Sequence, residues 1–200
     1  MQSAPGSDRD LIEAYISSSI RISFSRVLHY VEAKTDSSHE HVLACLAEET
    51  KKLLKTDSTI FMPIFSKWHQ LAPVASASLL HKLYGNKLRP FLDHAEHLTE
   101  DVVSVFPEAD SLERYIMTVI SLACEEEIVK DNCLRKLISF EVEKKSGTLV
   151  LRWLNAKLGR ILEWVERAIQ QERFRATSKE LESLTNLVRC MGECERYPEG

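Results

Sequence analysis

From Leu151 to Phe174 the chain reads LRWLNAKLGRILEWVERAIQQERF, about six helical turns with no proline and a single glycine, Gly159. Placing 100° per residue on this stretch gathers Val150, Leu151, Trp153, Leu154, Leu158, Ile161, Leu162, Trp164, Val165, Ala168 and Ile169 within about half the circumference. Arg152, Asn155, Gly159, Glu163, Glu166 and Gln170 fill the other half. So wide an arc exceeds the seam of a two-helix coiled coil, which makes it an expected piece of core touching at least two neighbouring helices. Trp153 and Trp164 lie nearly eclipsed at its margin, where such rings seal a bundle edge or, less commonly, anchor a partner. A helix from Ser146 to Phe174 would run about 43 Å, long for a compact globule. The expected fold class is therefore all-α, an elongated antiparallel helical bundle.

The remainder of the chain fits that class. Glycine and proline number six each among 200 residues, and 44% of the residues are hydrophobic, enough for a sizeable core. Residues 1–10 are small, polar and charged and read as a disordered lead. Leu11, Ile12, Tyr15, Ile16, Ile20, Phe24, Val27, Leu28 and Val31 then keep the spacing of one helical face. Ser37 with Glu40 matches a capping box and predicts a second helix over about 38–55. Ile60, Phe61, Ile64, Phe65 and Trp68 share a face on which Pro63 is expected to begin a helix after a looser turn. A helix from Pro73 either stops at Gly85 and Asn86 or continues to about His94 with a bend near Pro90. Thr99, followed by Glu100 and Asp101, caps a short helix to Val105, and another is expected from Pro107 to Cys124. Glu125 to Asn132 reads as a charged, exposed break. The long helix is expected to end at Phe174, with a last weak one opening on a second capping box at Thr177 and Glu180. In outline, residues 11–176 form the bundle segment, and 177–200 a short C-terminal helix and frayed tail.

Chemistry leaves few marks. A net charge of -4 argues against holding a phosphate backbone, so no nucleic-acid partner is expected. The opening MQSAPGSDRD lacks the apolar core of a secretory signal, and no apolar run approaches the roughly 20 residues of a bilayer span. The odd count of five cysteines suggests reduced thiols in the cytosol. Cys190 with Cys194, and His94 with His97, have the spacing of half a zinc site, but neither has a second pair, so no metal or other cofactor is expected. His39 and His41 at a helix start read as polar surface. Cys124 stands beside three glutamates that would suppress its thiolate, and no nucleophile elbow, phosphate-cradling glycine loop or metalloprotease motif occurs. No enzymatic activity and no small-molecule substrate are expected. Lys51, Lys52 and Lys55, and Lys82, Lys87 and Arg89, could touch anionic lipid, although solvated helix faces are the commoner role.

Four stretches, IEAYISSSIRISFSRV, FMPIFSKWHQLAPVASASLLHKLYGNKLRPFL, HLTEDVVSVFPEADSLERYI and LEWVERAIQQERF, together resemble plant proteins of the proton-ATPase-translocation-control type. These carry a MUN domain, the helical module shared with animal synaptic-vesicle priming factors. The resemblance runs from about Leu11 to Phe174 and implies a segment from the middle of a tethering-factor-like stack of helical bundles. It further implies a role in exocytosis and in delivering cargo such as the proton pump to the plasma membrane. The implied partners are membrane-fusion (SNARE-type) or tethering proteins and membrane cargo. The implied location is cytoplasmic, peripheral to endosomes or the plasma membrane. On the signature helix, Arg167, Gln170 and Gln171 form an exposed polar strip that is the candidate partner contact.

Overall fold

A computed structural model of the chain describes residues 7–35, 40–124 and 127–194, with side chains over 10–35, 40–124 and 128–189. The elements are α1 (Ser7–Thr35), α2 (Val42–Thr56), a π-helical turn (Asp57–Phe61), α3 (Met62–Phe65), α4 (Ala72–His94), α5 (Glu100–Ala123), α6 (Glu127–Arg135) and α7 (Val142–Cys194). No strand occurs among the described residues, and the all-α helical bundle is as expected. The chain divides into two compact units, Met1–Val150 and Leu151–Gly200.

In the first unit α2 packs on α5, α1 on α4 and α2, and α4 on α5, with α6 against α5. Each contributes one apolar face. Ile16, Ile20, Phe24 and Val31 of α1 meet Leu46 and Leu54 of α2, Leu80 and Leu88 of α4, and Leu112, Ile116 and Ile120 of α5 in one buried cluster. At about 1.5–3 kcal/mol for each fully buried large aliphatic side chain, this cluster is the main driving force for the unit. Tyr84 is buried among these groups and donates its hydroxyl to the Leu43 carbonyl at 3.1 Å, which ties α4 to the start of α2. That burial pushes the phenol's pKa up, with a lesser contribution from Glu108.

Several boundaries differ from expectation. Helix α1 begins at Ser7, inside the stretch read as a lead, while residues 1–6 lie outside the described residues. Ser37 of the expected capping box and His39 also lie outside them. The second helix begins at Val42 and not at 38, capped by His41, whose Nδ1 accepts from the Leu43 N–H at 3.1 Å. The imidazole also packs 5.0 Å from the Phe91 ring, so His41 is more than polar surface.

After α2 there is no loose turn. The chain continues through one π turn in which the Met62 N–H reaches the Asp57 carbonyl. The physical reason is Pro63, which occupies the first turn of α3, cannot donate to the Thr59 carbonyl and crowds it; a widened turn relieves both problems. The extra residue leaves Ile60, Phe61, Ile64 and Trp68 exposed and turns Met62 and Asp57 inward. Asp57 is buried against the hydroxyl of Ser76.

Helix α4 runs through both Gly85 and Pro90 to His94, which settles the alternative left open by the sequence. Gly85 is a notch and not a stop: a Cβ there would lie 2.9 Å from the Phe140 ring. Thr99 caps α5 as expected, accepting from the Val102 N–H, but one helix passes through Pro107 without the expected break, held by the buried face of Val105, Phe106, Ala109 and Leu112 on either side of it. The charged stretch after residue 126 is mostly helix α6 and not a break. Finally, α7 crosses positions 176–177 uninterrupted. Thr177 does not cap a new helix; its hydroxyl bonds back to the Arg173 and Phe174 carbonyls, the habit of a threonine inside a helix.

Candidate functional site

The feature that stands out is the face of α7 beyond Val150. With no proline in its 53 residues, nothing in the sequence of α7 interrupts its hydrogen-bond ladder, so the apolar arc read from the sequence is formed. Its environment is not the expected one. Leu154, Leu158, Ile161, Val165 and Ile169 are 49, 54, 51, 50 and 50% exposed, and every described side chain from Leu151 to Arg189 is exposed. The expectation that this arc is core touching two neighbouring helices is therefore corrected: within the unit Leu151–Gly200 no other described element covers it. Helical phase fixes which side chains share a face, but burial needs a second body, and phase carries no information about that body.

The same helix carries a second apolar row, Leu181, Leu184 and Val188, 66, 62 and 70% exposed. At 100° per residue it points about a third of the circumference away from the first. The two rows therefore point in different directions around the helix. Trp153 and Trp164 flank the first row at 43 and 63% exposure, with the Lys157 ammonium 5.4 Å from the Trp153 ring centre. Contiguous apolar surface of this extent, rimmed by charge, is a mark of an interaction face.

Arg167, Gln170 and Gln171 are exposed on the polar side of α7, away from the first row. Arg167 turns onto its own helix, its Nε donating to the Glu163 carbonyl at 3.2 Å. The three share a strip, and no described side chain converges on it. The more prominent candidate is the apolar row across the helix from it, whose residues the sequence marked but assigned to the interior.

Inside the first unit a polar cluster holds the chain just before α7. Glu113 of α5 accepts from the Phe140 N–H at 2.9 Å and lies 3.4 Å from His81 Nε2 of α4. The His81 ring stacks on Phe140 with centroids 4.2 Å apart. Burial alone would raise the Glu113 pKa; hydrogen bonds from His81, the Phe140 N–H and Ser139 outweigh it and hold the carboxylate below its ordinary range. This is a clamp positioning residues 139–140. Sequence reading missed it because His81 and Glu113 sit 32 residues apart on separate helices. The available signal was that each shares its helix's apolar phase.

The thiols are poorly activated. Burial raises the pKa of Cys124, aided by the neighbouring Cys133 thiol, and burial with Glu40 raises that of Cys45. Among the described residues no group of three or more His, Cys, Asp or Glu is placed to hold a metal ion. His94 and His97 are exposed, and the Cys190 and Cys194 side chains lie outside the described residues. Nor is any described helix long and apolar enough to cross a membrane.

No protein-family model matches the chain. No solved structure matches it either. Among curated proteins it is similar to Protein unc-13 homolog of Arabidopsis thaliana, 59% identical over 168 residues that cover 84% of this chain and 15% of the relative. The chain thus spans a small fraction of the length of the curated protein it matches. The resemblance to plant MUN-domain proteins read from the sequence is borne out by this likeness.

Proposed function

Starting from that likeness to one stretch of a plant unc-13 homologue, we propose that the chain is a non-enzymatic helical segment of a MUN-type factor in vesicle tethering and exocytosis. It supports delivery of membrane proteins, the proton pump among them, to the plasma membrane. Its partners are membrane-fusion proteins of the SNARE type or other tethering proteins, met at the cytoplasmic side of endosomes or the plasma membrane. Arg167, Gln170 and Gln171 serve as a separate polar contact on the side of α7 away from the apolar row.

The observation that carries the reading is the exposed apolar row from Leu151 to Ile169, which suits recognition and offers no chemistry to a substrate. The test is pump delivery in plants lacking the gene, restored with the whole gene carrying Leu158→Glu and Val165→Glu. Surface pump should fall in the deletion and remain low with the double variant, and pull-down of plasma-membrane fusion proteins should weaken in parallel. Normal pump delivery in the deletion would sink the proposal.

A further inference from the structure

The first unit contains a hollow that the proposed trafficking role does not use. It lies between one face of α4 and the segment from Cys133 to Phe140, with Glu13 of α1 on its lining, and has a volume of about 640 Å³. Its α4 wall runs from Leu71 to Leu92, about 30 Å along the helix. The hollow is thus an elongated groove along α4.

Polarity is graded along the hollow. The half nearer the start of α4 is walled by Leu71, Val74 and Ala75, with Ser78, His69 and Glu13 as its polar exceptions. The other half carries Lys82 and Arg89, seven residues apart on one face of α4 and about 10 Å apart along the axis, with Lys136 from the facing segment. None of these three cations has an ion pair or hydrogen bond among the described residues. A second hollow of about 580 Å³ shares Arg89, Ser139 and Phe140 with the first. It adds Lys145, together with Asp93 and a Lys144–Glu141 pair at 3.7 Å. In a chain of net charge -4, three unpaired cations against the single carboxylate of Glu13 on the first hollow's lining are a local reversal of charge.

We propose that this hollow binds a single anionic phospholipid, its phosphate held by Lys82, Arg89 and Lys136 and one acyl chain laid along Leu71, Val74 and Ala75. Arginine offers the phosphate a forked pair of donors, and the lysines add charge. An extended acidic peptide fits less well, because the Glu13 carboxylate on the same lining opposes its charge. An acyl chain carries no charge to oppose. The volume also falls within the range of small-molecule sites. The inference stands on the hollow alone and survives if the trafficking role fails.

The test is flotation of the 200-residue chain with phosphatidylcholine vesicles, plain or doped with phosphatidic acid. Binding is expected only to the doped vesicles. Lys82→Ala, Arg89→Ala and Lys136→Ala together should reduce it at least about tenfold. Arg21→Ala, Arg26→Ala and Lys67→Ala together remove equal charge from exposed sites off the lining and should leave binding intact. Ala75→Phe, which fills the acyl half, should weaken binding of long-chain phosphatidic acid; if that variant melts early, Ser78→Leu on the same wall replaces it. Equal loss in the control triple variant would reduce the effect to diffuse surface charge and overturn the proposal. So would no binding to doped vesicles, or inorganic phosphate binding as tightly as the lipid.

Discussion

Leu112, Ile116 and Ile120 on α5 and Leu158, Ile161 and Val165 on α7 all follow helical spacing, yet the first three are 0% exposed and the second three 54, 51 and 50%. The two rows are equivalent in the sequence. What separates them is the presence of other helices against α5 within its unit and the lack of any other described element beside α7 within the unit Leu151–Gly200. Apolar periodicity therefore identifies a face meant to be covered, while the covering body decides whether it is core or contact surface.

The sharpest way to break this contrast is a matched pair of truncations. Leu112→Ala should destabilise the first unit by about 2–5 kcal/mol through the cavity it leaves. Leu158→Ala in the same chain should shift stability by less than about 0.5 kcal/mol. Urea melts followed by circular dichroism read both, and similar losses would erase the distinction.

Next in size is the Glu113 clamp. Glu113→Ala leaves the Phe140 N–H and His81 without their buried partner and should remove about 2–3 kcal/mol. The pH dependence carries a definite sign. Because the folded carboxylate titrates below its ordinary 4.5, its contribution is complete above that value and is lost as pH falls through the lowered one. Wild type should therefore lose stability between pH 5 and pH 3 more steeply than Glu113→Gln, compared by urea midpoints across that range.

A pair of glycines sharpens the contrast further. Gly85→Ala drives a methyl to 2.9 Å from the Phe140 ring and should be destabilising by about 1 kcal/mol despite the gain in helix propensity. A methyl on Gly159 meets nothing within 4 Å, so Gly159→Ala should stabilise α7 by about 0.5–1 kcal/mol. Opposite signs in thermal melts are the expected outcome. The smallest effect is at Thr50, whose hydroxyl is fully buried with no hydrogen-bond partner. Thr50→Val should raise stability by up to about 1 kcal/mol, measured by the same melts, since it removes a polar group that folding leaves unpaired.

Local signals were legible where one physical cause acted alone. The face of α1 through Ile16, Ile20 and Phe24 and the cap at Thr99 were readable because spacing and a single hydroxyl decide them. Punctuation was over-read where a helix absorbs it. Pro107 deletes one donor from a long α5 without ending it, and Thr177, which resembles a cap, instead bonds back along α7. The π turn at Asp57–Phe61 arises from Pro63 acting on the turn before it, an effect that no spacing rule registers. At the candidate surface the row Leu151 to Ile169 was legible as a face, but its exposure was not. Likewise Lys82 and Arg89 could be seen as a pair, while Lys136 joins them only through the fold.

Hydrogen–deuterium exchange on the dilute 200-residue chain tests the contrast between the two regions most directly. Isolated helices are marginal without tertiary packing, so the amides of α7 from Leu151 to Arg189 should exchange orders of magnitude faster than those from Leu112 to Ile120 of α5. Equal protection of the two rows in the monomeric chain would contradict the claim that the α7 face lies uncovered and is kept for a partner.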